Sequence, residues 1–196
     1  DDSNRPIEEI VETLQAQMTA GKIRAYGCSN WRADRITAAQ AYAQRRGWPG
    51  FVANQMMWSL ATVNARNLPD STMVAMDTEL KAHHLQSSLA AIPYASQANG
   101  LFQWLAAHTT DAMNSSSRRL YDTPENRQRF DRLQVLAAET GLSVTAIVLG
   151  YLRGQPFLTI PIIGCHTLAQ LLDSCRAADA ELSAAQIAFL DSTGKE

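Results

Sequence analysis

The chain has 196 residues, 46% hydrophobic and 18% charged, enough for one globular unit with a sizeable core. Lysine and arginine number 17 against 19 acidic residues, for a net charge of -2, and they form no cluster, which argues against nucleic acid or a membrane surface as a partner. No apolar run reaches the roughly 20 residues that a membrane-crossing helix needs.

The opening Asp1-Asp2-Ser3-Asn4 lacks Met and any signal-peptide pattern and reads like the inside of a loop, so a fragment, a processed product or a trimmed chain is expected. Asn4, Pro6 and Glu8-Glu9 form a helix start, and Ile7, Ile10, Val11, Leu14 and Met18 recur at helical spacing before Gly21, predicting a helix over 5–20. Lys22 to Cys28 is short and alternating enough for a strand ending at Ser29-Asn30. A helix over about 33–46 follows, then a strand over Phe51 to Met56, a polar connection broken by Pro69, and a helix over 73–84. Leu89 to Tyr94 suits a buried parallel strand, and 114–124, with its serine run, is expected to be loop-like and mobile. Glu125 to Thr140 reads as an amphipathic helix, Ser143 caps another reaching about Arg153, and Leu158 to Ile163 reads as the fourth strand. Helices over about 167–177 and 183–191 close the chain. Strands that alternate with helices point to parallel βα units in a single α/β domain over 1–196.

In such folds the chemistry sits at the C-terminal ends of the strands. Here those ends carry Ser29-Asn30, Gln55, Tyr94-Ala95-Ser96-Gln97 and Gly164-Cys165-His166-Thr167. Each also has a plain reading. Ser29-Asn30 serves equally as a cap and turn, Gln55 as a loop tether and Tyr94 as a packed aromatic. The Gly164 turn before a helix favours a phosphate through free amides and the helix dipole, although such turns are common. His83-His84 are adjacent on a helix and share no face, so no metal site is expected. Three cysteines, Cys28, Cys165 and Cys175, make an odd count without CxxC spacing, predicting reduced, buried thiols in a cytoplasmic protein. GxSxG, HExxH, Walker and GxGxxG patterns are absent from the sequence, which removes support for hydrolase, metalloprotease, P-loop and Rossmann readings.

Four stretches resemble the aldo-keto reductase family. Gly21 to Trp31 (GKIRAYGCSNW) is similar to its GKIRxxGxSNF segment, and Asn54-Gln55 with Trp58-Ser59-Leu60 to its NQ…YSL stretch. Tyr94 through Gly100-Leu101 is similar to YSPLAxGxL, and Ile160 to Gly164 with Gln170-Leu171 to IPIPG…QL. The resemblance implies a partial (β/α)8 TIM-type barrel: the second half, from the helix after strand four, with four parallel strands alternating with helices. It implies an oxidoreductase that, when complete, reduces an aldehyde or ketone with NADP(H). By the same resemblance Ser29, Asn30 and Gln55 would hold the nicotinamide carboxamide and Tyr94 would stack on the ring. Ala95, Ser96, Gln97 and Gly100 would follow the pyrophosphate, and Gly164, Cys165, His166, Thr167, Gln170, Asp173 and Ser174 the adenosine end.

Several positions depart from the family pattern. His166-Thr167 stands where the family often has a Ser-Arg pair for the 2′-phosphate, so NAD(H) is not excluded; Ala95 and Ser96 replace Ser and Pro, and Ser174 replaces the final Asn. The family's Asp, Tyr, Lys and His set belongs to the barrel's first half, and Lys22, Lys81 and Lys195 have no motif tying them to a tyrosine. No catalytic residue is therefore nominated, and this stretch by itself is expected to be inactive. Trp31, Trp58 and the 109–124 loop are candidates for the walls of a small-molecule carbonyl pocket, the two tryptophans serving equally as core. The expected partner is the missing half-barrel or a second copy. The alternatives are a non-catalytic cofactor-binding or regulatory module and, on the Gly164 turn alone, an unrelated phosphate-binding barrel.

Overall fold

A computed structural model describes residues 1–2 and 4–192; Ser3 of the polar opening and Lys195 lie outside the described residues. Helix α1 (Ile7–Thr19) starts behind Pro6 and places Glu8 and Glu9 at the positive end of its dipole. Val11 is buried beneath it, with Ile7, Ile10, Leu14 and Met18 packed around the same core. Strand β1 (Cys28–Ser29) leads to α2 (Ala33–Arg45), which buries Ile36, Ala39, Tyr42 and Ala43. With β2 (Ala53–Gln55) and β3 (Ala90–Ala91) it forms a parallel sheet ordered β1-β2-β3, Cys28 opposite Asn54 and Asn54 opposite Ala91. Gly27 is required just before the first ladder, because a Cβ there would lie 2.6 Å from the Ala53 carbonyl oxygen.

The fourth expected strand needs correction. Leu158 to Ile163 is extended, but it joins β3 through one parallel bridge, Ala91 with Thr159, and through Ile160 N and Ile162 N donating to Ala91 O and Pro93 O. Pro161 has no amide hydrogen to offer on the other side, and Leu158, Ile160 and Ile162 stay exposed. The result is an α/β fold whose regular sheet has three strands among the described residues.

The expected helix over 73–84 is also displaced. Residues 74–76 run extended beside Met57, whose amide donates to Val74 O and whose carbonyl accepts from Met76 N, both at 2.9 Å. Helix α3 (Thr78–Gln86) begins only at Asp77, whose side chain accepts from Leu80 N. Helix α4 (Leu101–Ala106), where none was expected, buries Leu101, Phe102 and Leu105.

The stretch read as a loop over 114–124 holds helix α5 (Ser115–Tyr121), capped by Asn114 and pinned by buried Leu120 and Tyr121; the serine run had masked that apolar anchor. Helices α6 (Pro124–Thr140), α7 (Val144–Arg153), α8 (Leu168–Arg176) and α9 (Ala184–Asp191) start at Thr123, Ser143, Thr167 and Ser183, each accepting an amide hydrogen bond from inside its helix. Asp191 latches α9 to three neighbours, accepting from Tyr151 Oη at 2.7 Å and from Arg129 Nη1 at 3.3 Å while Lys81 Nζ lies 3.3 Å away. No single helix among the described residues is long and apolar enough to cross a membrane.

His84, buried on α3, places Nδ1 2.9 Å from Leu89 O and stacks on Phe157. Burial holds its pKa below the ordinary histidine value, outweighing the Leu89 carbonyl that favours the charged form. The unfolded chain therefore takes up a proton near pH 6.5 that the folded chain refuses, so the contribution of neutral His84 is present above that pH and lost below it. Urea midpoints measured between pH 7.5 and 5.5 should fall, and His84→Gln should flatten that fall; an unchanged slope in the variant would remove His84 as its source.

Candidate active site at the strand ends

Asn30 follows β1 with φ 55°, a left-handed conformation that asparagine tolerates better than most residues, and its amide donates to Gln55 O at 2.8 Å. Its Oδ1 accepts twice, from Val74 N at 3.1 Å and from Tyr94 Oη at 2.8 Å. Ser29 Oγ donates to Gln55 Oε1 at 3.3 Å. Ser29, Asn30, Gln55 and Tyr94, contributed by the ends of three adjacent strands, thus form one hydrogen-bonded cluster. With Asn30 Oδ1 and Gln55 Oε1 occupied, the amide nitrogens of both side chains remain as donors. Burial raises the Tyr94 phenol above its ordinary pKa against the opposing hydrogen bond to Asn30, with Asp70 adding to the rise, so Tyr94 is a neutral donor at pH 7.

Tyr94 brings this cluster to the wall of a cavity of about 1380 Å³; Ser29, Asn30 and Gln55 are not among the residues that line it. Tyr94, Ala95, Ser96, Gln97 and Gly100 form one stretch of its wall, and Gly164, Cys165, His166, Gln170, Asp173 and Ser174 another. The two stretches are tied by Ser96 Oγ donating to Ile162 O and by Gln97 Nε2 donating to Ser174 Oγ at 3.2 Å. Ala95, Ala98 and Asn99 all have positive φ, a concentration of strained backbone of the kind that gathers at ligand sites.

Not every candidate residue lies where the sequence suggests. Thr167 is not on the cavity wall; it caps α8 in a reciprocal box with Gln170. The amides of His166 and Thr167, expected to be free for a phosphate, both donate to Gln170 Oε1, at 2.8 and 3.2 Å. Trp31 is core, edge-on to Phe51 with the Arg35 guanidinium over its ring. Trp58 stacks on Phe157 and lines a separate, smaller cavity of about 460 Å³. Of the 109–124 stretch expected to wall a pocket, Met113 and Arg119 are on the large cavity's wall; sequence reasoning did not single out Met73 and Trp104 on the same wall, because no strand-end pattern marks them. Among the described residues no group of three or more His, Cys, Asp or Glu side chains could hold a metal.

Over residues 1–195 the sequence matches the Aldo/keto reductase family. The chain belongs to that family. Among its relatives is the "Uncharacterized oxidoreductase YrpG" of Bacillus subtilis (strain 168), 28% identical over 92% of this chain and 52% of that protein. Another is the versiconal hemiacetal acetate reductase of Aspergillus parasiticus, 24% identical over 97% of this chain and 54% of that protein. The thermostable aldo-keto reductase Tm1743, solved with the inhibitor epalrestat, superposes with a TM-score of 0.63 at 15% identity, covering 97% of this chain and 56% of that one, a likeness of fold. This aldo-keto reductase chain thus spans about half the length of the curated relatives it matches.

The expectation of three buried thiols is corrected as well: all are free, but Cys28 is buried, Cys165 half-buried and Cys175 exposed. Burial pushes the Cys28 thiol up to about 12. Iodoacetamide at pH 8 should therefore label Cys175 in the folded protein and leave Cys28 untouched until denaturant is added. Rapid labelling of Cys28 in the native state, read by peptide mass spectrometry, would contradict the packing of β1 against β2.

Proposed function

We propose that this chain carries the nicotinamide-cofactor site of an NADP(H)-dependent enzyme that interconverts a carbonyl compound and its alcohol. The observation that carries the reading is the cluster of Ser29, Asn30, Gln55 and Tyr94 beside a cavity large enough for a dinucleotide. Its donors and acceptors fit a carboxamide: Asn30 and Gln55 offer amide N–H groups to the oxygen, Ser29 Oγ offers lone pairs to the nitrogen, and the Tyr94 ring offers a flat face. The bound cofactor would supply the hydride. This chain's residues would fix which ring face delivers it and shield it from water.

For the phosphates, the fork missing at His166-Thr167 has a substitute on α5. Arg119 lies on the cavity wall with no ion pair or side-chain hydrogen bond among the described residues, and it favours NADP(H) over NAD(H). Met57, Met73 and Met113 on the same wall suit an apolar or aromatic carbonyl substrate. The proton donor for the carbonyl oxygen would come from strands outside this chain, so cofactor binding without turnover is the expected behaviour of the purified chain. That separates the enzyme reading only when a complementary half is added: turnover then marks an enzyme, and none marks a binding module.

Fluorescence titration should give saturable NADPH binding, tighter than NADH, that Asn30→Ala abolishes. Arg119→Ala should weaken NADPH about 10-fold or more, as the loss of a charge-assisted contact implies, and close the gap to NADH. Equal NADPH and NADH affinities in the parent protein would overturn the phosphate assignment.

Apolar side chains are also exposed along the last extended segment and on α8. Leu158 is 64% exposed and Ile160 50%, and on α8 the stripe of Leu168, Leu171 and Leu172 faces out, with Leu168 at 69%. An unpaired parallel edge with apolar neighbours favours closure by further strands, from a complementary half-barrel or a second copy. Light scattering of the isolated chain should show association, and a monodisperse monomer would count against this.

A further inference from the structure

The connection between β2 and α3 does more than join them. Its root is tied to α5: Asn67 Nδ2 donates to Arg119 O at 2.8 Å, and Asn64 N to Leu120 O at 3.4 Å. Asn126, fully buried, clasps the same root, its Oδ1 accepting from Thr62 N at 2.8 Å and its Nδ2 donating to Thr62 O and Tyr121 O. Asp70 then turns the chain by accepting from Thr72 N and Oγ1, and Met73 N closes on Asp70 O. Beyond the turn, Val74 to Met76 lie extended along Met57, with a parallel bridge from Met57 to Ala75, while Met57 also bridges to Tyr94.

The far end of this strap meets the cofactor cluster through one atom. Val74 N–H and the Tyr94 hydroxyl both donate to Asn30 Oδ1. A primary amide has two ends of opposite polarity and rotates about its last torsion, so an unrestrained Asn30 would present oxygen or nitrogen with similar ease. Two donors converging on Oδ1 remove that choice and leave Nδ2 as the end free to donate.

We propose that the 64–76 connection is a positioning strap whose Val74 amide, together with the Tyr94 hydroxyl, holds Asn30 with its side-chain nitrogen presented to the nicotinamide carboxamide. This rests on the cofactor reading of the strand-end cluster. It assigns to Val74 a role that its side chain does not reveal: the backbone hydrogen is the working part. The Val74 end of the strap meets the nicotinamide side: no strap residue hydrogen-bonds the Gly164 to Ser174 wall among the described residues, and the tie to Arg119 is made at the strap's other end, by Asn67.

The test compares two probes on the purified chain: NADPH, which spans both ends, and 2′,5′-ADP, which has no nicotinamide. Val74→Pro deletes the amide hydrogen, Val74→Ala keeps it, and Tyr94→Phe removes the other donor while leaving the ring. Val74→Pro should weaken NADPH about tenfold and leave 2′,5′-ADP unchanged, Val74→Ala should match the parent on both, and Tyr94→Phe should show the same one-sided loss. Parent-like NADPH binding by both Val74→Pro and Tyr94→Phe would overturn the proposal, as would equal loss of both probes in Tyr94→Phe, which points to general loosening. A parent protein that binds neither probe would overturn the cofactor reading itself, an outcome distinct from either of these.

Discussion

The parallel ladder through β2 is the constraint on which the rest depends. Ala53 to Gln55 is paired on both sides, to β1 and to β3, and the pairing continues past the strand at Met57, which bridges to Ala75 and to Tyr94. Parallel strands share one direction, so their C-terminal ends arrive at one edge, and whatever polar residues follow them must be neighbours. Ser29, Asn30, Gln55 and Tyr94 are neighbours for that reason, although up to 65 positions separate them in the chain. Gly27 guards the register, since any side chain there would push β1 off the Ala53 carbonyl.

Where β1 stops, its place beside Met57 is taken by Val74 to Met76. The exchange turns a connection into part of the site. It closes one side of the Asn30 cluster, and through Asn67 and Asn126 it couples that cluster to α5, which carries Arg119 onto the cavity wall. The polar cluster and the apolar, methionine-bearing wall are thus set by a common scaffold.

Most of the helical layer is closed, the exposed Leu168, Leu171 and Leu172 of α8 excepted. Capped helices, an almost wholly buried α7 and the Asp191 latch secure the outer shell. At the other extreme the Leu158 to Ile163 segment is paired on one side, with its apolar side chains toward solvent. Its near-continuous apolar composition is that of a strand buried on both faces, yet Leu158, Ile160 and Ile162 are exposed.

Periodicity and capping residues made most helices legible, because those signals act within a few residues of one another. The positions of α1, α2 and α6 to α9 follow from Pro6, Ser143 and Ser183 and from apolar spacing, with Thr123 and Thr167 found as caps only in the structure. The strand-end motifs likewise named Asn30, Gln55 and Tyr94, since local chemistry and family resemblance both mark them. What could not be read was set by distant partners. Residues 73–76 carry a helical apolar pattern but are claimed by Met57, the serine run of α5 hides an anchor at Tyr121, and Trp31 turns inward onto Phe51. The Gly164 turn looked open to an anion until Gln170 folded back over its amides. Sequence by itself determined the order of the first three strands among the helices, the approximate limits of α1, α2 and α6 to α9, and the polar strand ends. Tertiary structure alone decided which extended segment lies beside which strand, and so which way the Asn30 amide faces, because a hydrogen-bond donor 44 residues away leaves no local trace in the sequence.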